Sequence, residues 1–205
     1  MRKLPRGFNK LEKQRIKETL QQEGRVLFSR FGLKKTSIME LAKASGISPG
    51  SFYSFYHSKE ELFFEIVEQE EESIKKEFMS VDLSQAEDTK QTMKDLLLQT
   101  FQTIENNALL KNLLFDSNYE SMVSKLPPEK LDSHFKKDAA SVDLILTKWK
   151  QSGVIRPIDS DTLAGLLRAL FTMSLHKKEI GEDVYPETIA MLIEFMVDGL
   201  VVKED

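Results

Sequence analysis

The chain has 205 residues, 40% hydrophobic and 30% charged, which is ordinary for a soluble globular protein and enough for one compact unit or two closely joined subdomains. It contains no cysteine, which excludes a disulfide framework, a thiolate metal site and a cysteine nucleophile. The formal net charge of −4 is unevenly spread: residues 1–60 hold 13 Lys and Arg against 5 Asp and Glu, and residues 61–205 hold 16 against 28. An acidic chain that gathers its positive charge at one end is arranged for a polyanion there.

Residues 1–8 form a basic arm with Arg2, Lys3 and Arg6. The opening MRKLPRGFNKLEK has no apolar run of the kind a signal peptide needs, and no window approaches the ~20 uncharged apolar residues of a membrane span. The expectation is a cytoplasmic protein without a membrane partner. Asn9 and Glu12 have the spacing to cap a first helix that runs to Phe31 and stops at Gly32. Gly24 lies on the apolar line of Leu20, Leu27 and Phe31, which suggests close packing against another helix at a cost of about 1 kcal/mol in helix propensity.

The stretch Thr36 to Leu62 carries the most information. Ser37 and Glu40 form a capping box for a short helix to about Ser45, with Thr36 as the other candidate cap. Gly46 sits where a left-handed residue would end that helix. Ser48 is then an N-cap, Pro49 fits the first helical position, and Ile47 can staple to Phe52, so a second helix starts at once and runs to about Tyr56. Helix, tight glycine turn, helix is the geometry that carries a recognition helix to the major groove. Burying Phe52 and one of Phe55 or Tyr56 leaves Gly50, Ser51, Tyr53, Ser54 and His57 outward, where hydroxyls can meet phosphates or base edges. Ser58 and Glu61 then cap a further helix whose first turn carries Lys59, a charge suited to a phosphate. The plainer reading is a small helical subdomain that only packs its aromatics, and the charge asymmetry weighs against it. The expected contacts to double-stranded DNA are Thr36, Ser37, Ser48, Pro49, Gly50, Ser51, Tyr53, Ser54, Phe55, His57 and Lys59.

Everything that follows reads as helix. A long helix runs from Ser58 to about Ser80, and VDLSQAEDTK is a loop. Helices follow near 90–106 and 108–125, from Pro128 to about Gly153, over about 161–178, and over about 186–202. Charges on the last helix, Glu187, Glu194 and Asp198, fall in one narrow stripe, while apolar residues cover the rest of its circumference. One core face would use about half of that surface. The helix before it is apolar on more than one side as well. A two-fold interface is expected from Leu163, Leu167, Leu170, Phe171, Ile189, Leu192, Ile193, Met196 and Leu200, the rival being a hairpin buried within one subunit. Phe101, Phe115, Tyr119, Phe135, Trp149 and His176 are candidates to line a pocket for an apolar small molecule, each with plain core packing as its simpler role. Residues His57, His134 and His176 have no partners at metal-ligand spacing, and no nucleophile elbow, P-loop or dinucleotide fingerprint occurs. Neither an enzyme nor a metal or cofactor site is expected.

The motif residues resemble the N-terminal domain of the TetR family of bacterial transcriptional regulators. The matching positions are Leu27-Phe28, Gly32, Thr36-Ser37, Leu41-Ala42, Ser45-Gly46-Ile47-Ser48, Gly50, Tyr53, Phe55-Tyr56 and Ser58-Lys59-Glu60-Glu61-Leu62. Pro49 departs from the pattern, standing where many members carry a Lys that reaches DNA, and Phe55-Tyr56 reverses the usual aromatic order. The resemblance implies an all-α fold, with a three-helix DNA-binding domain over 1–60 and a helical body over 61–205 for dimerisation and effector binding. It implies a homodimer on a palindromic operator, more often a repressor than an activator, released by an effector. The alternative is a body that docks another protein in place of a small molecule.

Overall fold

The computed structural model describes residues 8–115, 122–174 and 176–202, without the side chains of Asn112, Leu114, Phe115, Phe135, Asp138, Phe171 and Ser174. The fold is all-α. Its helices are α1 (Lys10–Lys35), α2 (Ile38–Ala44), α3 (Pro49–Phe52), α4 (Lys59–Ser80), α5 (Thr89–Asn106), α6 (Ala108–Phe115), α7 (Pro128–Gln151), α8 (Ser160–Ser174), α9 (Lys177–Ile180) and α10 (Tyr185–Leu200). Among the described residues the extended pairing is a single isolated antiparallel bridge between Ile155 and Val201.

Two compact units divide the chain: Met1–Glu70 with Ala108–Pro127, and Glu71–Asn107 with Pro128–Asp205. In the first, the capping box at the start of α1 is complete, Asn9 Oδ1 accepting the Glu12 N–H at 2.9 Å and Glu12 accepting the Asn9 N–H at 2.8 Å. Leu20, Phe28, Leu41, Phe52, Leu62, Phe63 and Ile66 form the interior, with the Phe28 and Phe63 rings edge to face at 5.1 Å. Gly24 is buried among them. A Cβ placed there would stand 2.9 Å from Ile66 Cδ1 and 3.3 Å from Leu62 Cδ2, so this glycine lets α1 approach α4 closely. α6 packs against α1 and contributes buried Leu109, Leu110 and Leu113.

The second unit is built on one apolar cluster. Met93, Leu96, Leu97 and Phe101 from α5 meet Leu146 and Trp149 from α7, Leu163 and Leu170 from α8, and Ile189, Ile193, Val197 and Leu200 from α10. Trp149 packs on Phe78, the ring centroids 5.5 Å apart. Burial, and then the nearby Glu105 carboxylate, push the Tyr185 phenol above its ordinary range.

Several helix ends differ from expectation. Helical backbone resumes after Gly32, whose φ of 77° kinks α1, and continues to Lys35. α3 stops at Phe52 instead of Tyr56, because the Ser54 and Phe55 N–H groups bond three residues back, to Ser51 and Phe52. The helix over 161–178 ends at Ser174, and Lys177–Ile180 forms a separate turn before Gly181 at φ 108°. Of the helix expected over 108–125, residues 116–121 lie outside the described residues.

Candidate nucleic-acid interface

Local hydrogen bonds fix the α2–α3 pair. Ser37 is the N-cap of α2: its Oγ accepts the Glu40 N–H at 3.2 Å, and Glu40 Oε2 accepts the Ser37 N–H at 2.8 Å. Hydrogen bonds from the Ser37 hydroxyl and N–H hold the Glu40 carboxyl below its usual pKa. Gly46, at φ 69°, ends α2, and the Ile47 N–H returns to the Ala42 carbonyl at 2.9 Å. Ser48 Oγ then accepts the Ser51 N–H at 3.1 Å, with Pro49 in the first turn of α3. The turn is short because the cap of the second helix follows the end of the first by two residues.

Ser48, Pro49, Gly50, Tyr53, Ser54 and His57 are all exposed on this unit, Tyr53 with 57% of its surface. Ser51 is half-buried and its hydroxyl lies 2.8 Å from that of Ser48, so the two hydroxyls are hydrogen-bonded to each other. Within the aromatic pair, Tyr56 is the buried ring and Phe55 the half-buried one, tilted against Phe8 at 5.9 Å. The Lys17 ammonium lies 5.6 Å from the Tyr56 ring centroid. Burial first, and then the charge of Glu65, raise the Tyr56 phenol, which stays protonated.

Two of the expected contact residues are engaged inside the protein. Thr36 is buried, at 1% exposure, and its hydroxyl donates to the Gly32 carbonyl at 2.8 Å, which places it out of reach of a ligand in this arrangement. Lys59 does not extend to solvent as a phosphate-seeking charge would. Its Nζ donates to the carbonyls of Leu33 at 2.7 Å, Thr36 at 2.7 Å and Lys34 at 3.2 Å. Burial, more than any charge, pulls its pKa below the usual lysine value. The neighbouring Glu60, also buried, pairs with Lys125 Nζ at 2.7 Å. Met39, 67% exposed, and Lys43, exposed on the same helix, stand outside the expected contact set. With Leu41 and Ala42 inward, helical spacing alone turns both outward.

In the second unit the proposed pocket residues separate. Phe101 and Trp149 belong to the packed core, and His176 is exposed with Glu179 3.8 Å away. Tyr119 and the side chains of Phe115 and Phe135 lie outside the described residues. An open depression of about 480 Å³ is lined by Lys150, Ile155, Pro157, Ile158 and Asp159, none of them among the six. The apolar surface of α8 and α10 also sorts itself. Leu163, Leu170, Ile189, Ile193 and Leu200 are buried in this unit's own core, so they are not a free face; core packing at helical spacing takes them. Leu167, Leu192 and Met196 are half-buried, and the side chain of Phe171 lies outside the described residues. Among the described residues, the large apolar side chains exposed on these helices are Leu166, Met191 and Phe195, the last at 62%. No group of three or more metal-ligating side chains occurs among the described residues, and none of their helices is long and apolar enough to cross a membrane.

Comparison with known proteins places the α2–α3 pair. Residues 22–66 match the family described as bacterial regulatory proteins, tetR family. Over 92 residues the chain is 30% identical to the HTH-type transcriptional regulator AcrR of Shigella flexneri, an alignment that spans 43% of this chain and 43% of that protein. The chain therefore matches less than half the length of that relative. A solved TetR-family regulator from Pectobacterium atrosepticum is similar in fold with a TM-score of 0.73 at 18% identity, covering 97% of this chain and 100% of that one. SmeT, the repressor of the Stenotrophomonas maltophilia multidrug efflux pump SmeDEF, is similar with a TM-score of 0.60 at 18% identity, covering 91% of each chain. SmeT is also solved as a triclosan complex, with a TM-score of 0.59 at 17% identity, covering 92% of each chain.

Proposed function

Because the chain belongs to the TetR family of bacterial transcriptional regulators, we propose that it is a homodimeric, ligand-responsive, DNA-binding repressor that acts in the cytoplasm on a palindromic operator. The observation that carries this reading is the α2–turn–α3 pair, rigidly capped and presenting Pro49, Gly50, Tyr53, Ser54 and His57 to solvent on the basic end of the chain. In this reading the functional division stays at residues 1–60 for DNA and 61–205 for the body. Tyr53 meets the phosphate backbone, and Ser54 and the hydroxyl-paired Ser51 stand where base edges pass. Ser37 and Ser48 face the same groove from the two helix starts, and Phe55 with Phe8 supports the root of the basic arm.

Dimerisation is supported by exposed Leu166, Met191 and Phe195 with half-buried Leu167, Leu192 and Met196. Exposed large apolar side chains in this number on α8 and α10 suit a second copy of the chain. Two recognition helices would then reach successive major grooves of an inverted repeat. The effector is an apolar small molecule, a reading supported by the SmeT–triclosan complex on the same fold. Since Phe101 and Trp149 are packed in the core, a pocket beside them opens only by moving them or is lined by other residues. The effector biases the dimer toward a state with lower operator affinity.

Selection of bound sequences from a random DNA pool tests the reading: recovery of an inverted repeat, bound with a steep dependence on salt, supports it. No enriched sequence, or a protein that sediments as a monomer at micromolar concentration, overturns it. In the dimer, Phe195→Arg is expected to leave the fold intact and abolish self-association.

A further inference from the structure

We infer that Lys59 is a positioning residue of the DNA-reading end, which sets the angle of α2 and α3 by gripping the end of α1, and that it is not a phosphate contact. The inference rests on the DNA-binding reading above and adds to it the part that holds the recognition helix in register.

The geometry is that of a cap supplied from a distant helix. α1 is interrupted at Gly32, resumes, and ends at Lys35 with its final carbonyls beyond the last helical hydrogen bonds. The Thr36 N–H and hydroxyl both return to the Gly32 carbonyl, at 3.3 Å and 2.8 Å, which folds the chain back sharply just before Ser37 caps α2. Into this corner the Lys59 ammonium places its three N–H donors on three acceptors, the carbonyls of Leu33, Lys34 and Thr36. An ammonium has three donors and no more, so this set uses all of them. Nothing is left to offer a phosphate without breaking one bond of the corner.

Position along the chain turns this cap into a lever. Lys59 is the first residue of α4, and the residues between its partners and itself are α2, the glycine turn and α3. The entire DNA-reading pair is therefore a loop whose two ends are pinned together at one nitrogen. Among the charges around the same ammonium, Glu60 favours it most, Lys125 opposes it, and Glu40, in the first turn of α2, adds a smaller favourable contribution.

A phosphate contact and a pin predict different losses. Loss of a phosphate contact weakens specific and non-specific DNA alike and lowers the slope of log affinity against log salt by about 0.9. Loss of the pin misaligns the recognition helix, so it removes specific affinity while non-specific affinity and the salt slope hold. The test uses the full-length protein on the selected operator and on unrelated duplex. Lys59→Met is expected to lower operator affinity at least about tenfold, to change non-specific affinity less than about twofold, and to leave the slope unchanged. Parallel losses with a shallower slope, or no change in either affinity, overturn the inference.

Two further proteins decide the matter if Lys59→Met fails to fold. Lys59→Arg keeps the charge, but a planar fork does not fit three carbonyls converging on one point. Wild-type operator binding by Lys59→Arg overturns the inference, and operator loss at an unchanged salt slope supports it. Since the chain has no other cysteine, Lys59→Cys can be alkylated at a single site with bromoethylamine in denaturant and refolded. Return of operator affinity on restoring the ammonium, with non-specific affinity and salt slope unchanged and no return with an uncharged alkyl group of equal length, supports the pin, whereas a return in which both affinities rise and the slope steepens overturns it. Equal return with both groups overturns it. Failure of every sequence selection with the wild type would instead defeat the DNA-binding reading and is seen before any variant is made.

Discussion

Both compact units have a buried apolar interior, and they differ in how their bends and longer-range polar links are arranged. In the first, each bend of the chain carries its own polar fastening: Asn9 with Glu12, Ser37 with Glu40, Ser48 with the Ser51 N–H, Ser58 with the Glu61 N–H, and Lys59 on three carbonyls. In the second, Asp88 and Asp159 cap helix starts in the same way, the central cluster joins aliphatic side chains to Phe101, Trp149 and Tyr185, and the longer-range polar links, such as Lys90 with Asp198 and Lys94 with Glu194, lie at the surface. A reading head must hold a shape, and directional bonds between near neighbours define angles. A body needs cohesion above all, which buried volume supplies without regard to direction.

This contrast predicts a ranking of damage. The largest effect is expected in the body: Ile193 is fully buried, and Ile193→Ala should cost about 2–5 kcal/mol in urea unfolding. A loss no greater than that of a capping mutant would break the comparison. Next comes Ser48→Ala in the head, which should cost about 1 kcal/mol and, unlike the core mutant, should lower DNA affinity by more than the unfolded fraction explains. Gly24→Ala sharpens the same point. The added methyl meets Ile66 Cδ1, a flexible side-chain end, and gains helix propensity of about 1 kcal/mol, so the net loss should be about 1 kcal/mol or less. A loss as large as that of Ile193→Ala would mean that α1 and α4 are packed as rigidly as the body.

The smallest effect concerns acid. Hydrogen bonds to Ser37 depress the Glu40 carboxyl in the folded protein below its ordinary value of 4.5. The folded state therefore binds this proton less readily than the unfolded state does. The stabilisation is fully present above the unfolded pKa and disappears as pH falls through the folded one. Melting of the wild type and Glu40→Gln should differ near neutral pH, and the difference should shrink as pH falls below the ordinary value of 4.5. A difference that widens toward low pH would refute the assigned direction.

The head was largely legible in the sequence because its fastenings join residues three or four apart. Asn9, Ser37, Gly46, Ser48 and Ser58 act within one helical turn of where their patterns lie. What escaped there was long in range. Lys59 beside a helix start has the signature of an anion site, but its acceptors lie 23 to 26 residues earlier and only folding brings them near. Thr36 likewise stands in a contact motif while its hydroxyl turns inward. The body was legible as helices and much less so as faces. On α10 both Ile193 and Phe195 are large and apolar, one fully buried and one mostly exposed, and periodicity has no means to rank two faces that are equally greasy. The same ambiguity put Trp149 and Phe101 among pocket residues when they are packed in the core.

The first compact unit is drawn from two separated stretches of chain, Met1–Glu70 and Ala108–Pro127, with α6 of the later stretch packed on α1 of the earlier. On a ribosome adding about 5–20 residues per second, α1 to α4 emerge some seconds before the leucines of α6 that complete their cover. During that interval the nascent head carries an uncovered apolar strip, which makes it a natural client for chaperones at the exit tunnel. A gene shortened after residue 70 would leave that condition permanent, so an isolated head is expected to aggregate when expressed, whereas one co-expressed with the 108–127 segment should stay in solution.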